Sequence, residues 1–380
     1  MVVAVLGSTG YAGMTLLRLL VRHPNVEKIL AVSSSQAGAS IGHFDPGLSD
    51  ATLARLGHTF ASVEEAAEAE PQVVFSGLPH LTSAEVLAPF YEQSIVVDLS
   101  ADFRIPDAEL FERAYGSAPP AADRLPSAAY GIPELYREAI SKAPIIANPG
   151  CYPTAALMPV VPLARDGVIG GRVIVNALSG VSGAGRKVKQ NLLFGERSEN
   201  VQAYGPGTSH RHWAEIYHYL KEAELRSAPG HAAAGGHDAA AGPGDAAEAG
   251  PAASAQEASA ELPDSAVLFT PHLVPIKQGI VATIVTDLAA GATEEQVTES
   301  LHTAYGDAPF VRLTREHIPE TRDVRNTNRC DIAVRRYGDQ LMLFAAIDNL
   351  HKGAAGQALQ NMNVRLGLDE QAGLQLDGEF

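Results

Sequence analysis

Five short runs of apolar, largely β-branched residues, at 2–6, 29–32, 73–75, 95–98 and 145–147, punctuate the first part of the chain, with amphipathic stretches between them. A strand that reads as a continuous apolar run must be covered on both faces, and a parallel sheet flanked by helices does this. Between the first two runs, Leu16, Leu17, Leu19 and Leu20 give a helical stripe that ends at His23-Pro24, because proline disfavours helical backbone in the residue before it. Strand, helix and strand make a right-handed βαβ unit, which binds ligands at the carboxyl ends of its strands. At the first such end stands Gly7-Ser8-Thr9-Gly10-Tyr11-Ala12-Gly13, directly before the helix. Glycines at this spacing let backbone amides approach a pyrophosphate where the helix dipole favours negative charge. A tight turn alone would use the same glycines, and the βαβ context is what favours a dinucleotide. The second strand ends in Ser33-Ser34-Ser35-Gln36, where a NAD site usually places a carboxylate. An uncharged, donor-rich run favours the 2′-phosphate of NADP, although no arginine stands immediately beside it.

From Cys151 onward the pattern changes to longer strand-like runs, at 173–178, 266–269 and 280–285, with helices such as 294–305 between them. The expected fold is α/β: a Rossmann-type dinucleotide-binding domain over 1–150 and an α+β catalytic and dimerisation domain over 151–349. A chain of 380 residues is long enough for both. Within the second part, 227–265 is mostly Ala, Gly, Pro and Ser, lacks the large apolar side chains that offset ordering entropy, and reads as a flexible insertion.

A formal net charge of -16 with no basic run argues against nucleic acid and anionic membranes as partners. The apolar N-terminus has no basic leader and soon meets glycines, so it reads as a buried strand rather than a signal peptide. No apolar run approaches the length of a membrane span. Two cysteines cannot form a disulfide scaffold and fit a reducing compartment, which makes the cytoplasm the expected location.

Asn148-Pro149-Gly150-Cys151-Tyr152-Pro153-Thr154 follows the strand at 145–147 and runs into a helix. A cysteine at a helix N-terminus faces unpaired amides, which favour the reactive thiolate. Most cysteines are small buried hydrophobes, and Cys330, heading a strand, keeps that structural reading. Position at a strand end beside a nucleotide fold sets Cys151 apart. A thiol that forms a thiohemiacetal needs an acid and base, and His210-Arg211-His212, followed by Glu215, offers one. Two histidines lack a third ligand at recognisable spacing, so no metal is expected. Cations for an anionic substrate stand at Arg104 and at Arg186-Lys187, the latter after Ser179-Gly180-Val181-Ser182-Gly183-Ala184-Gly185.

Taken together, these segments resemble the N-acetyl-gamma-glutamyl-phosphate reductases, arginine-biosynthesis relatives of the aspartate-semialdehyde dehydrogenases. The resemblance runs from Gly7 to about Gly367, leaving out the insertion. Its most specific piece is Ala147-Asn148-Pro149-Gly150-Cys151-Tyr152-Pro153-Thr154-Ala155; Leu78-Pro79-His80, Pro271-His272-Leu273-Val274-Pro275 and Asp348-Asn349-Leu350-His351-Lys352-Gly353-Ala354 support it. It implies an NADPH-dependent reductase, a dimer or tetramer, that acts on a small acyl phosphate. It further implies a C-terminal helix over about 350–380 that completes the nucleotide domain, with Asn349 and Ala354 near the nicotinamide. Cys151 would attack the acyl phosphate and His210 act as acid and base. Tyr204 and Glu215 would support that histidine at the substrate, Arg104 would hold phosphate, Arg186 or Lys187 the substrate carboxylate, and Asn148 would line the site. Cofactor contacts would fall on Gly7, Ser8, Thr9, Gly10, Tyr11, Ala12, Ser34, Ser35, Leu78, Pro79, Ser182 and Gly183. Gln278 departs from the pattern, standing where arginine is expected before Gly279, with Lys277 a possible replacement. The nearest alternative is a sister reductase acting on an aspartyl or aminoadipyl phosphate; a non-catalytic NADP-sensing protein is a different class, against which Cys151 and His210 argue.

Overall fold

The computed structural model describes residues 1–227 and 263–378, organised around two sheets. In the first, β1 (Val2–Leu6), β2 (Lys28–Val32), β3 (Val73–Ser76), β4 (Ile95–Asp98), β5 (Ala128–Tyr130) and β6 (Ile145–Ala147) lie in the order β2-β1-β3-β4-β6-β5, every pairing parallel. Val3, Ala4, Val5 and Leu6 are all buried, as a strand covered on both faces requires. β5, a three-residue strand paired to β6, has no counterpart in the sequence reading. The stripe leucines are buried on α1 (Tyr11–Arg22), which starts earlier than the stripe because the glycine turn feeds straight into it. α2 (Pro133–Lys142) carries its proline at the first helical position, where the missing N–H has no intrahelical partner to lose.

α3 (Cys151–Arg165) leaves the parallel sheet and enters the core of the second. Its residues from Tyr152 to Ala164 are buried all round, the pattern of a central helix. Pro153 is tolerated in its first turn, where no N–H is needed. The second sheet has the order β11-β12-β13-β10-β7-β9-β8, built from β7 (Ile169–Ser179), β8 (Gln202–Ala203), β9 (Val267–Leu273), β10 (Ile280–Leu288), β11 (Val311–Thr314), β12 (Cys330–Tyr337) and β13 (Gln340–Ile347). Its pairings are mixed, with β7–β9 and β11–β12 parallel. α3 packs on β10 and β13, and α4 (Arg211–Ser227) and α5 (Glu294–Tyr305) pack on α3. Ile280, Ala282 and Ile284 of β10 face this core, while Val281, Thr283 and Val285 are only half-buried on the other face.

After β13 the chain makes a π-helical turn, His351–Ala355, and continues as α6 (Gly356–Arg365). Ala358, Leu359 and Met362 of α6 share a core with Val3, Val5 and Leu16 of the parallel-sheet side. Of the stretch 227–265, Ser227 ends α4 and Asp264–Ala266 is a single 3-10 turn; residues 228–262 lie outside the described residues.

Candidate active site

Strand order reverses between β1 and β3, and the turns after these strands meet. Gly7 has φ +75°, and a Cβ there would lie 2.8 Å from Gly77 O. The backbone N of Leu78 is beside it, at 3.3 Å from the same position. A Cβ on Gly13 would fall 2.4 Å from Gly7 O, so α1 rests directly on the turn. Gly10 caps α1 with no side-chain hydrogen bond, which leaves the first-turn amides to an anion. Thr9, Gly10 and Ala12 are half-buried; Tyr11, Ser34, Ser35 and Pro79 are exposed around the crevice. The crevice fits an anionic dinucleotide. Ser8 does not join it: its hydroxyl donates to Val5 O at 2.6 Å and its N–H to Val32 O at 3.1 Å, so it braces the turn.

Arg186, expected at a substrate carboxylate, instead reaches the crevice. Its Nη1 donates to Thr9 O at 3.2 Å, and the guanidinium lies 4.4 Å over the Phe44 ring. Lys187 is exposed and makes no hydrogen bond or ion pair among the described residues.

Cys151 is the first residue of α3 and half-buried. Two glycines shape its surroundings. A Cβ on Gly150 would be 2.6 Å from His212 Nε2, and one on Gly353 would be 2.9 Å from Cys151 Cβ. Only glycine admits the imidazole and the π turn so close. The thiol is pushed up to about 11, chiefly by burial; Arg104, the Tyr152 N–H and Arg211 pull it down and Glu215 pushes it up. The helix terminus was expected to favour the thiolate; here desolvation outweighs it, and the thiol needs a base.

Glu215 is fully buried and accepts from Tyr130 OH at 2.7 Å, Gly150 N at 2.8 Å and Arg104 Nη1 at 3.3 Å. No hydrogen bond joins it to His210 among the described residues; it holds the Gly150 backbone before the thiol. Arg104, expected to grip phosphate, is buried with Nε on Asn148 O at 2.8 Å and Nη2 on Leu99 O at 2.7 Å. It acts on Cys151 through its field. Asn148 is likewise committed, donating from Nδ2 to Ala354 O at 3.3 Å and accepting at Oδ1 from Asn361 at 3.1 Å. These three residues form the floor that fixes the Cys151 loop, and their side chains are already engaged by protein partners.

His210 Nδ1 accepts the His212 N–H at 3.1 Å, and Nε2 has no partner among the described residues. Its ring centroid is 5.4 Å from that of Tyr204 and 5.9 Å from that of Tyr152, and the two tyrosine hydroxyls are 3.0 Å apart. Burial, then Arg211, lowers His210 to about 4, and burial with His210 lowers His212 further. Both are neutral at pH 7. Arg211, to which the sequence reading gave no role, is exposed and forms no hydrogen bond or ion pair among the described residues. A cation in the first turn of a helix opposes the dipole, and that misplacement is the signal by which it could have been found.

On the far side, Asn349 accepts Gly279 N at 2.7 Å and donates to Ser182 Oγ at 2.9 Å, with Gly183 alongside. Gln278 is turned inward to Asp348 Oδ2 at 2.5 Å, so it anchors the segment before the π turn, and Lys277 is exposed.

This pairing of a glycine crevice with a helix-terminal cysteine has clear relatives. The profile of the semialdehyde dehydrogenase NAD binding domain matches residues 2–143, and that of the semialdehyde dehydrogenase dimerisation domain matches 151–230 and 253–349. The chain belongs to the semialdehyde dehydrogenase family. Its similarity is to members named N-acetyl-gamma-glutamyl-phosphate reductase. The protein of that name from Desulforudis audaxviator is 39% identical over 100% of this chain and 99% of its own, and that from Akkermansia muciniphila 37% identical over 98% of each. Among solved structures, aspartate semialdehyde dehydrogenase II from Vibrio cholerae has a TM-score of 0.64 at 18% identity, covering 96% of this chain and 98% of its own. The Candida albicans aspartate semialdehyde dehydrogenase with NADP has the same score at 18% identity, over 96% and 97%.

Proposed function

We propose that this protein is an NADPH-dependent reductase that converts N-acetyl-L-glutamyl 5-phosphate to N-acetyl-L-glutamate 5-semialdehyde and phosphate, a step of arginine biosynthesis. The observation that carries this reading is a cysteine opening a buried helix beside neutral imidazoles and a dinucleotide crevice, in a chain 37–39% identical to reductases of that name.

Cys151 Sγ attacks the acyl carbon. His210 accepts the thiol proton as the S–C bond forms, the C–O bond to phosphate breaks, and a thioester remains on Cys151. His210 is assigned this part because it is half-buried with Nε2 unpartnered, whereas His212 is buried under Gly150. Arg211 is an uncommitted cation beside His210, available to the leaving phosphate, and Arg104 and the amides of α3 oppose desolvation of the sulfur. The glycine turn, Ser34, Ser35, Ser182, Gly183 and Asn349 would hold NADPH, which would supply hydride to the thioester carbon. The C–S bond then breaks, His210 returns a proton, and the aldehyde leaves. Tyr204 and Tyr152 confine the imidazole. We read residues 1–150, with the C-terminal helix, as the cofactor-binding unit and 151–349 as the catalytic one.

The assembly is a homo-oligomer through the half-exposed face of the mixed sheet. No helix among the described residues is long and apolar enough to cross a membrane, and the composition supports a cytoplasmic location. Steady-state reduction of the N-acetylglutamyl, aspartyl and N-acetylaminoadipyl phosphates tests the substrate. Preference for the first is expected, and preference for the aspartyl compound would overturn it. Cys151→Ser should lower turnover by more than about 10³-fold with the fold intact.

A further inference from the structure

The turn that brings Gly353 against Cys151 is π-helical, a rare form that gathers at functional sites. It packs on α1, which opens from the glycine turn, and on α3, which opens at Cys151, so it lies between the crevice and the thiol. Ala354 O receives Asn148 Nδ2 at 3.3 Å. Two residues before the turn, Asn349 is tied to Gly279 and Ser182.

Lys352, the second residue of this turn, is fully buried. Its Nζ donates to Glu134 Oε1 at 2.7 Å and Gln360 Oε1 at 2.8 Å. Gln360 Nε2 donates to the same Glu134 oxygen at 2.8 Å, closing a triangle. Glu134 is in the first turn of α2, on the parallel-sheet side, and its side chain is 1% exposed. Its second oxygen, Oε2, has no hydrogen-bond partner among the described residues.

Removing two charges from water costs several kcal/mol per ion, and an apolar pair of similar volume usually holds such elements together as well or better. The pair is also incompletely satisfied, so stability alone is a weak reason to keep it. Apolar contacts alone leave a turn free to settle in neighbouring registers, whereas an ammonium held by two oxygens has one position. We propose that Lys352 and Glu134 are positioning residues: their buried ion pair pins the 351–355 turn between the cofactor crevice and Cys151, and so sets how the thioester stands toward the nicotinamide. This rests on the reading of Cys151 and the crevice given above.

The test separates three measurements on the full-length enzyme. Stability is followed by thermal unfolding, acylation by the phosphate burst from N-acetylglutamyl phosphate without NADPH, and reduction by single-turnover hydride transfer at saturating NADPH. Lys352→Met, which strands Glu134, should lower Tm. Lys352→Met with Glu134→Met should regain Tm to within about 2 °C, keep the burst within twofold of wild type, and transfer hydride at least tenfold more slowly. Glu134→Gln, which keeps size and an acceptor, should show the same split at about threefold and serves if the paired variant fails to fold. Wild-type hydride transfer in either variant, or a burst that falls in parallel with hydride transfer, would overturn the proposal. A wild-type enzyme without a burst would instead strike down the functional reading beneath it.

Discussion

The glycine crevice and the thiol pocket adjoin, yet they are built on opposite terms. In the crevice the ligand-facing groups are backbone amides at an uncapped helix end, ringed by exposed Ser34, Ser35 and Tyr11. Arg186 reaches in from the other sheet's side to touch the turn, through Thr9 O. In the pocket the side chains hold one another: Glu215 takes three donors, Arg104 takes Glu215 and two carbonyls, and Asn148 bridges to Ala354 and Asn361. A site made of open backbone donors tolerates side-chain change and waits for its ligand. A site made of mutually satisfied buried groups is rigid before any ligand arrives, and the loss of one member leaves another unpaired.

Glu215→Leu should break the contrast most sharply. It strands Arg104 in the interior and should cost about 3–5 kcal/mol of stability by urea unfolding. Ser35→Ala, at the crevice, should stay within about 0.5 kcal/mol. Equal losses would mean the two regions do not differ as described.

One glycine from each site makes a second pair. An alanine at Gly150 would place its Cβ 2.6 Å from His212 Nε2, whereas one at Gly10 meets nothing nearer than Gly7 O at 3.5 Å. Gly150→Ala should slow the phosphate burst by about 10²-fold through displacement of reacting groups. Gly10→Ala should leave the burst unchanged and raise the KM for NADPH.

The raised thiol predicts slow alkylation. Iodoacetamide should label Cys151 in the free enzyme at a rate that still climbs beyond pH 9, because a thiol near 11 is almost wholly protonated at pH 7. A plateau already reached below pH 7 would instead signal a thiolate–imidazolium pair.

The smallest effect concerns stability and pH. His80, pushed down to about 3 by burial and then by Arg211 and Arg104, and His210, at about 4, stay neutral in the fold well below the ordinary value of 6.5. Between those limits the unfolded chain binds more protons, so their contribution is intact above pH 6.5 and is lost as pH falls toward the folded values. Asp98, buried and raised to about 6 from 3.8, acts in the opposite sense over part of that window and offsets one of them. Thermal unfolding should show a modest net fall in Tm on acidification from pH 6.5 to 5, and His210→Asn should flatten it. A Tm that rises over this range would contradict the burial of neutral imidazoles.

The parallel sheet, the glycine turn and the Cys151 loop were legible because each is written in consecutive residues: an apolar run, a glycine spacing, a cysteine after a strand. β5 was missed because Ala128-Ala129-Tyr130 has no β-branched residue to mark it as a strand. The commitments of Arg104 were hidden for another reason. Its partners Asn148 and Glu215 are 44 and 111 residues away, and nothing in the local sequence separates an arginine facing substrate from one holding carbonyls. Arg186 was misplaced for the same cause, since its glycine-rich surroundings do not say which ligand the arm meets. The thiol shift was misjudged because helix position is local, whereas burial depends on the π turn about 200 residues later.

The mechanism turns on the acylation of Cys151. Mixing the enzyme with N-acetylglutamyl phosphate in the absence of NADPH and measuring intact mass tests it directly. A mass increase of one N-acetylglutamyl group is expected, located to the Cys151 peptide, with release of up to one phosphate per subunit. Phosphate released with no adduct, or an adduct that persists in Cys151→Ser, would contradict it.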